Sequence, residues 1–80
     1  MKRIKVTIGH IAKGKCGEAR DCPVYHALKD AGVNVHSVFD QVALNEPPTF
    51  LVDTPPEVFA RIKTYDLTGV MQPFEFEIDL

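Results

Sequence analysis

His10, Cys16, Cys22 and His26 are the residues of this sequence whose types and spacing can do chemistry. Five residues separate the two cysteines, three separate Cys22 from His26, and His10 lies six before Cys16. Mixed thiolate and imidazole ligation suits tetrahedral zinc, and a structural metal would hold a small domain together. Such sites use two closely spaced ligand pairs, however, and this chain has no such set. The second chemistry is a thiolate nucleophile, with Cys22 activated at a helix start and His26 or His10 as its base. A base four residues along the same helix points outward beside the thiol, and no third group orients it. A disulfide between the cysteines would close only a short loop, worth about 2 kcal/mol. The ordinary reading is stronger. Cys22 is a small packing residue before Pro23, no residue is assigned as catalytic, and no cofactor is expected.

Lys13, Lys15 and Arg20 mark a different candidate, a basic loop "KGKCGEARD" able to contact a partner. Gly14 and Gly17 do not make it a phosphate loop, because the lysine–serine/threonine ending is missing. Sheet-face RNA readers need exposed aromatics, and Phe74 and Phe76 instead share the inward phase of their strand. Glu75, Glu77 and Asp79 alternate with them as a solvated acidic face.

The elements that must position these residues follow from periodicity. Ile4, Val6 and Ile8 alternate with charged and polar neighbours as a half-buried strand, and "GHIAKG" predicts at most one helical turn. Asp21 as cap, Pro23 in the first turn and Gly32 as stop frame a helix. Its apolar side is Val24, Ala27, Leu28 and Ala31, with Tyr25 at the margin and Cys22, His26, Lys29 and Asp30 on the wetter side. Val33, Val35 and Phe39 give a second strand. Residues 40–53 read as the returning arm of its hairpin, with Phe50 and Val52 inward and Pro47 and Pro48 interrupting the pairing. Thr54 as cap, Pro55 as first helical position and Glu57 in a capping box open a second helix with the stripe Val58, Phe59, Ile62 and Tyr65. Gly69 lies beyond its end, and Phe74, Phe76, Ile78 and Leu80 form a closing strand. The expected core is Ile4, Val6, Ile8, Val24, Leu28, Val33, Val35, Phe50, Val52, Phe59, Ile62, Phe74, Phe76 and Ile78.

Eighty residues with 45% hydrophobic content make one domain, residues 1–80. No apolar run approaches the ~20 residues of a membrane span, and the N-terminus alternates where a signal peptide would be continuously apolar. The expectation is a cytoplasmic protein with no membrane partner. The net charge of −2 hides an asymmetry: seven Lys/Arg against three Asp/Glu in residues 1–30, then two against eight in residues 31–80. The order strand, helix, strand, strand, helix, strand predicts an α+β, ferredoxin-like fold. In that fold one four-stranded antiparallel sheet carries both helices on one face, and the first and last strands are neighbours. Arg3 and Lys5 then answer Glu75 and Glu77, which accounts for the asymmetry inside the fold.

The stretches "VTIGHIAKG", "CPVYHALKDAG" and "PEVFARIKTYDLTGVMQPFEFEI", in that order, resemble a family of small bacteriophage and prophage proteins. The resemblance covers most of the chain except residues 40–49. That family has no established activity, so the resemblance brings no catalytic or binding residues; it implies a phage or prophage origin and an infected cell's cytoplasm. The resulting expectation is a non-enzymatic accessory domain acting through a protein contact, for instance on a host enzyme or defence complex. The alternatives are a zinc-stabilised or nucleic-acid-contacting module using residues 13–20 and, third, a cysteine-dependent enzyme. Partner identity and oligomeric state are not legible.

Overall fold

The computed structural model describes residues 2–15, 17–18, 20–45 and 50–79. Within them run the strands β1 (Lys2–Val6), β2 (Val35–Val38), β3 (Gln41–Leu44), β4 (Phe50–Asp53) and β5 (Phe74–Ile78). The helices are α1 (Ile8–Lys13), α2 (Pro23–Asp30) and α3 (Pro56–Thr68). The chain is α+β, but the single four-stranded, ferredoxin-like sheet with two helices is not what forms. β1 and β5 make a two-stranded antiparallel ribbon, and β2, β3 and β4 make a separate antiparallel sheet in that order. A ferredoxin-like sheet needs a hairpin strand to slot beside β1. Here β3 has both edges occupied, by β2 and by β4, so none is left for β1. α2 packs against both β1 and β2, and so joins the two sheets through side chains.

The expected pairing of first and last strands is present. Ile4 lies opposite Phe76, Arg3 opposite Glu77 and Lys5 opposite Glu75. Charged side chains stay outside while Ile4, Phe76 and Ile78 are buried. α1 is longer than the one turn expected, and it takes Ile8 out of β1. Thr7 caps it, so Ile8 becomes its first residue and is 72% exposed, not a core residue.

α2 ends as its glycine demands. Gly32 sits at φ +87°, its N–H donates to the Lys29 carbonyl, and the Val33 N–H donates to that of Leu28. Those are the two bonds of a Schellman stop, with Val33 folding back onto the core. At the other end Gly14 closes α1 against Pro23. A Cβ there would lie 2.6 Å from the Pro23 ring, so only glycine allows this approach.

Three local expectations fail for identifiable reasons. The alternation through β2 is broken by a register shift between Val35 and Ser37, so Val35 and Val38 are both buried while Phe39 is 47% exposed. Residues 40–53 hold two strands, β3 and β4; Glu46, Pro47, Pro48 and Thr49 lie outside the described residues. Phe50 and Val52 pair with Leu44 and Val42, yet Phe50 is 57% exposed and is not a core residue. Lastly, α3 starts at Pro56 with Pro55 as its cap and no capping side chain. Thr54 is buried instead, where its hydroxyl has no partner among the described residues. Val33, Val52 and Phe74 are half-buried against the core, and Cys22, Ala27, Val38, Val42, Val58 and Tyr65 join it fully. Leu80 lies outside the described residues.

Candidate functional site

Thr7, His10 and Asp30 form the nearest thing to a catalytic chain. The Thr7 hydroxyl lies 3.1 Å from His10 Nδ1, and His10 Nε2 lies 2.6 Å from Asp30 Oδ2. The tautomer follows from the backbone. The Thr7 N–H, which can only donate, reaches Nδ1 at 3.0 Å, so the ring proton sits on Nε2 and is donated to Asp30. Thr7 Oγ1 in turn accepts the His10 N–H at 3.4 Å. These are the two reciprocal bonds of a capping box, with histidine in the place usually held by glutamate or glutamine. The base position is therefore filled by a structural bond. The carboxylate at the far end is 65% exposed, so it gives the ring little fixed orientation. His10's hydrogen bond, followed by the charges of His10, Lys13 and His26, holds the Asp30 carboxyl below its usual range.

Cys22 does not stand on the wetter side of α2. It is 2% exposed, and its Sγ caps the helix by accepting the Tyr25 N–H at 3.4 Å, the role expected of Asp21. Burial raises its thiol pKa, outweighing the backbone N–H groups that lower it. A buried thiol held protonated is the reverse of an activated nucleophile. Asp21 is freed to accept from His26 Nε2 at 2.5 Å, so His26 faces a carboxylate, not the thiol. Of the zinc candidates, Cys16 lies outside the described residues, and His10 and His26 each hold their own aspartate. No group of three His, Cys, Asp or Glu side chains able to hold a metal occurs among the described residues.

Lys13 at the end of α1, and Lys15 and Arg20 on the segment between α1 and α2, are exposed. That segment is tied down by polar bonds: the Lys15 N–H to the Asp21 carbonyl at 2.8 Å, and the Gly17 N–H to Asp66 Oδ1 of α3 at 2.8 Å. Behind it a cleft of about 250 Å³ lies between Gly17, Cys22, Phe39, Ile62 and Asp66. It brings one buried thiol near two carboxylates, Glu18 and the already engaged Asp66, and its lining holds no histidine.

The features that sequence reasoning missed lie on β4. It is the outer strand of its sheet, and no strand among the described residues pairs with its free edge. Phe50 and Leu51 are 57% and 53% exposed there. At the far end of the strand Asp53 is exposed, as are Asp40 before β3 and Glu57 in the first turn of α3. The Asp40 carbonyl accepts the Thr54 N–H at 3.1 Å, and Asp53 accepts from the Gln41 amide at 3.2 Å, so both bonds tie this end of β4 to the β3 side. The apolar run "FLV" marks the strand, but a continuous apolar run reads as buried, so the sequence carries no signal of an open edge.

No helix among the described residues is long and apolar enough to cross a membrane. No family model, curated protein or solved structure matches the chain.

Proposed function

We propose that this chain is a protein-contact domain, not an enzyme, and that its contact surface is the free edge of β4. One observation carries the reading: an edge strand with two large apolar side chains more than half exposed. An open row of backbone N–H and C=O groups beside apolar side chains is a template for adding a partner's strand. The protonated, buried thiol of Cys22 and the capping role of His10 support the non-enzymatic half of the proposal. On the motif resemblance alone, the setting proposed is a phage or prophage accessory protein acting on a host enzyme or defence complex.

The test compares parent and Leu51→Lys chains as baits in lysate, with eluates analysed for protein and nucleic acid. Leu51 is exposed, so the variant should keep its fold by circular dichroism and lose the proteins that the parent retains. Equal retention by both chains, or loss only when Lys13, Lys15 and Arg20 are changed to alanine, would move the contact to the basic segment.

A further inference from the structure

We infer that the cleft between α3 and the segment after it binds a small apolar molecule carrying one carboxylate, with Arg61 as its counter-ion. This is independent of the edge-strand reading. Gly69 ends α3 at φ +73°, its N–H donating to the Tyr65 carbonyl, and the chain turns back beside the helix. Arg61, Thr64 and Thr68, spaced three and four apart, make one stripe of α3. Val70, Met71 and Gln72 line the other side, and the cleft between them holds about 560 Å³. Ligand sites run to about 300–1,000 Å³.

The polar groups of this cleft are few and mostly spent. The Thr64 hydroxyl donates to the Ala60 carbonyl at 3.0 Å, and the Thr68 hydroxyl to the Thr64 carbonyl at 2.8 Å. The Val70 N–H donates to Thr68 Oγ1 at 3.2 Å. What remains is apolar surface, including Val70 at 60% exposed, and two side chains with donors to give, Arg61 and Gln72. Arg61 is the one charged residue of the lining, and it is in no ion pair among the described residues. Its guanidinium lies over the Phe74 ring, 4.5 Å from the centroid, which steadies the plane and leaves its N–H edge for an acceptor. A carboxylate meets that fork with two parallel bonds. One guanidinium neutralises one negative charge, whereas a phosphate dianion would need more donors than the lining supplies. A peptide would need backbone partners, and the Val70 N–H is already taken.

The experiment titrates the whole chain with octanoate, octanamide and octylamine at neutral pH and follows amide shifts by NMR. The expected result is shifts centred on residues 60–72, with octanoate bound about tenfold tighter than octanamide and octylamine weakest. Arg61→Gln should remove the tenfold preference while the shifts stay in the cleft. Val70→Asp, at an exposed position, should weaken octanoate and leave the fold intact by circular dichroism. 3-Phenylpropanoate, run beside octanoate, tells an aromatic body from an aliphatic one; preference for either acid over octanamide supports the site. Equal binding of octanoate and octanamide, or a preference that survives Arg61→Gln, would overturn the counter-ion role and the inference with it. Shifts elsewhere, or none, would overturn the site. Concentration-dependent self-association through the cleft would make a second copy its occupant and overturn the small molecule.

Discussion

β5 sets Glu75 and Glu77 against Arg3 and Lys5 of β1, so both strands of the ribbon present a charged outer face. β4 presents Phe50, Leu51 and Val52 in succession, and Asp53 is its one charged residue. Charged rows discourage a further strand from adding, whereas an uncharged apolar edge invites one. The two sheets are of similar size and share a chain, so the contrast is one of side-chain chemistry. Where charge and alternation coincide, the ribbon's outer edges are guarded by charge. Where they are absent, on β4, the outer edge is left open and apolar.

Two phenylalanines test that contrast most directly. Phe76 of β5 is 6% exposed and Phe50 of β4 is 57% exposed. Phe76→Ala should cost about 3–5 kcal/mol, most of a small domain's stability, through lost burial and the cavity left behind. Phe50→Ala should cost about 1 kcal/mol or less, as exposed substitutions do, while weakening partner retention. Urea or thermal unfolding reads both. Equal losses would mean that Phe50 belongs to the core and that the edge is not free.

A smaller effect locates what holds the ribbon's own helix. His10→Ala removes the acceptor for the Thr7 N–H and the bond to Asp30, and should cost about 1–2 kcal/mol, as losses of helix caps do. His10→Gln keeps a capping acceptor at the same position and should recover part of that loss. If Gln is no better than Ala, the capping box is not what His10 supplies, and its base-like lone pair becomes available for another role.

The ribbon was legible because its chemistry is written in strict alternation: Ile4 and Val6 against Arg3 and Lys5, and Phe76 and Ile78 against Glu75 and Glu77. The Gly32 stop was legible because one residue type satisfies it. What failed depends on events that leave no local signal. A register shift beside Val35 moved the second inward position from Ser37 to Val38. Pro56 took the first helical position, which stranded Thr54 ahead of its cap. His10 lies twenty residues from Asp30, so only the packing of α1 on α2 could reveal their bond. Cys22 was legible as a structural residue but was placed on the wrong side of α2, because thiols are read as polar when they pack as small apolar groups. The edge on β4 was invisible for a plainer reason: a sequence shows a strand's residues and not its missing neighbour.

A third measurement sharpens the ribbon side alone. Reversing Glu75 and Glu77 to lysine removes three exposed ion pairs and places like charges opposite Arg3 and Lys5. Each pair is worth about 0.2–1 kcal/mol. The loss should shrink in high salt, because these side chains are about half exposed or more and are screened. A melting temperature that rises at low salt would show that the charged faces do not finish the ribbon, and the contrast with β4 would lose its basis.

The smallest expected effect is a pH dependence at the α1–α2 junction. Asp30 is held below the ordinary carboxylate range first by its hydrogen bond from His10, then by the charges of His10, Lys13 and His26. A carboxylate whose folded pKa is depressed binds fewer protons in the folded state than in the unfolded chain. Its contribution is therefore fully present above the unfolded value of about 3.9, and is lost as pH falls through the lower folded value. Urea midpoints taken in steps from pH 5 downward should fall more steeply for the parent chain than for Asp30→Asn. In His10→Ala the step should shrink without vanishing, since Lys13 and His26 remain. Because Asp30 is exposed, the difference is small, and identical slopes in parent and Asp30→Asn would show that the bond to His10 positions the ring without stabilising the fold. That outcome would leave the capping bond to Thr7 as His10's whole contribution to the ribbon's side of the molecule.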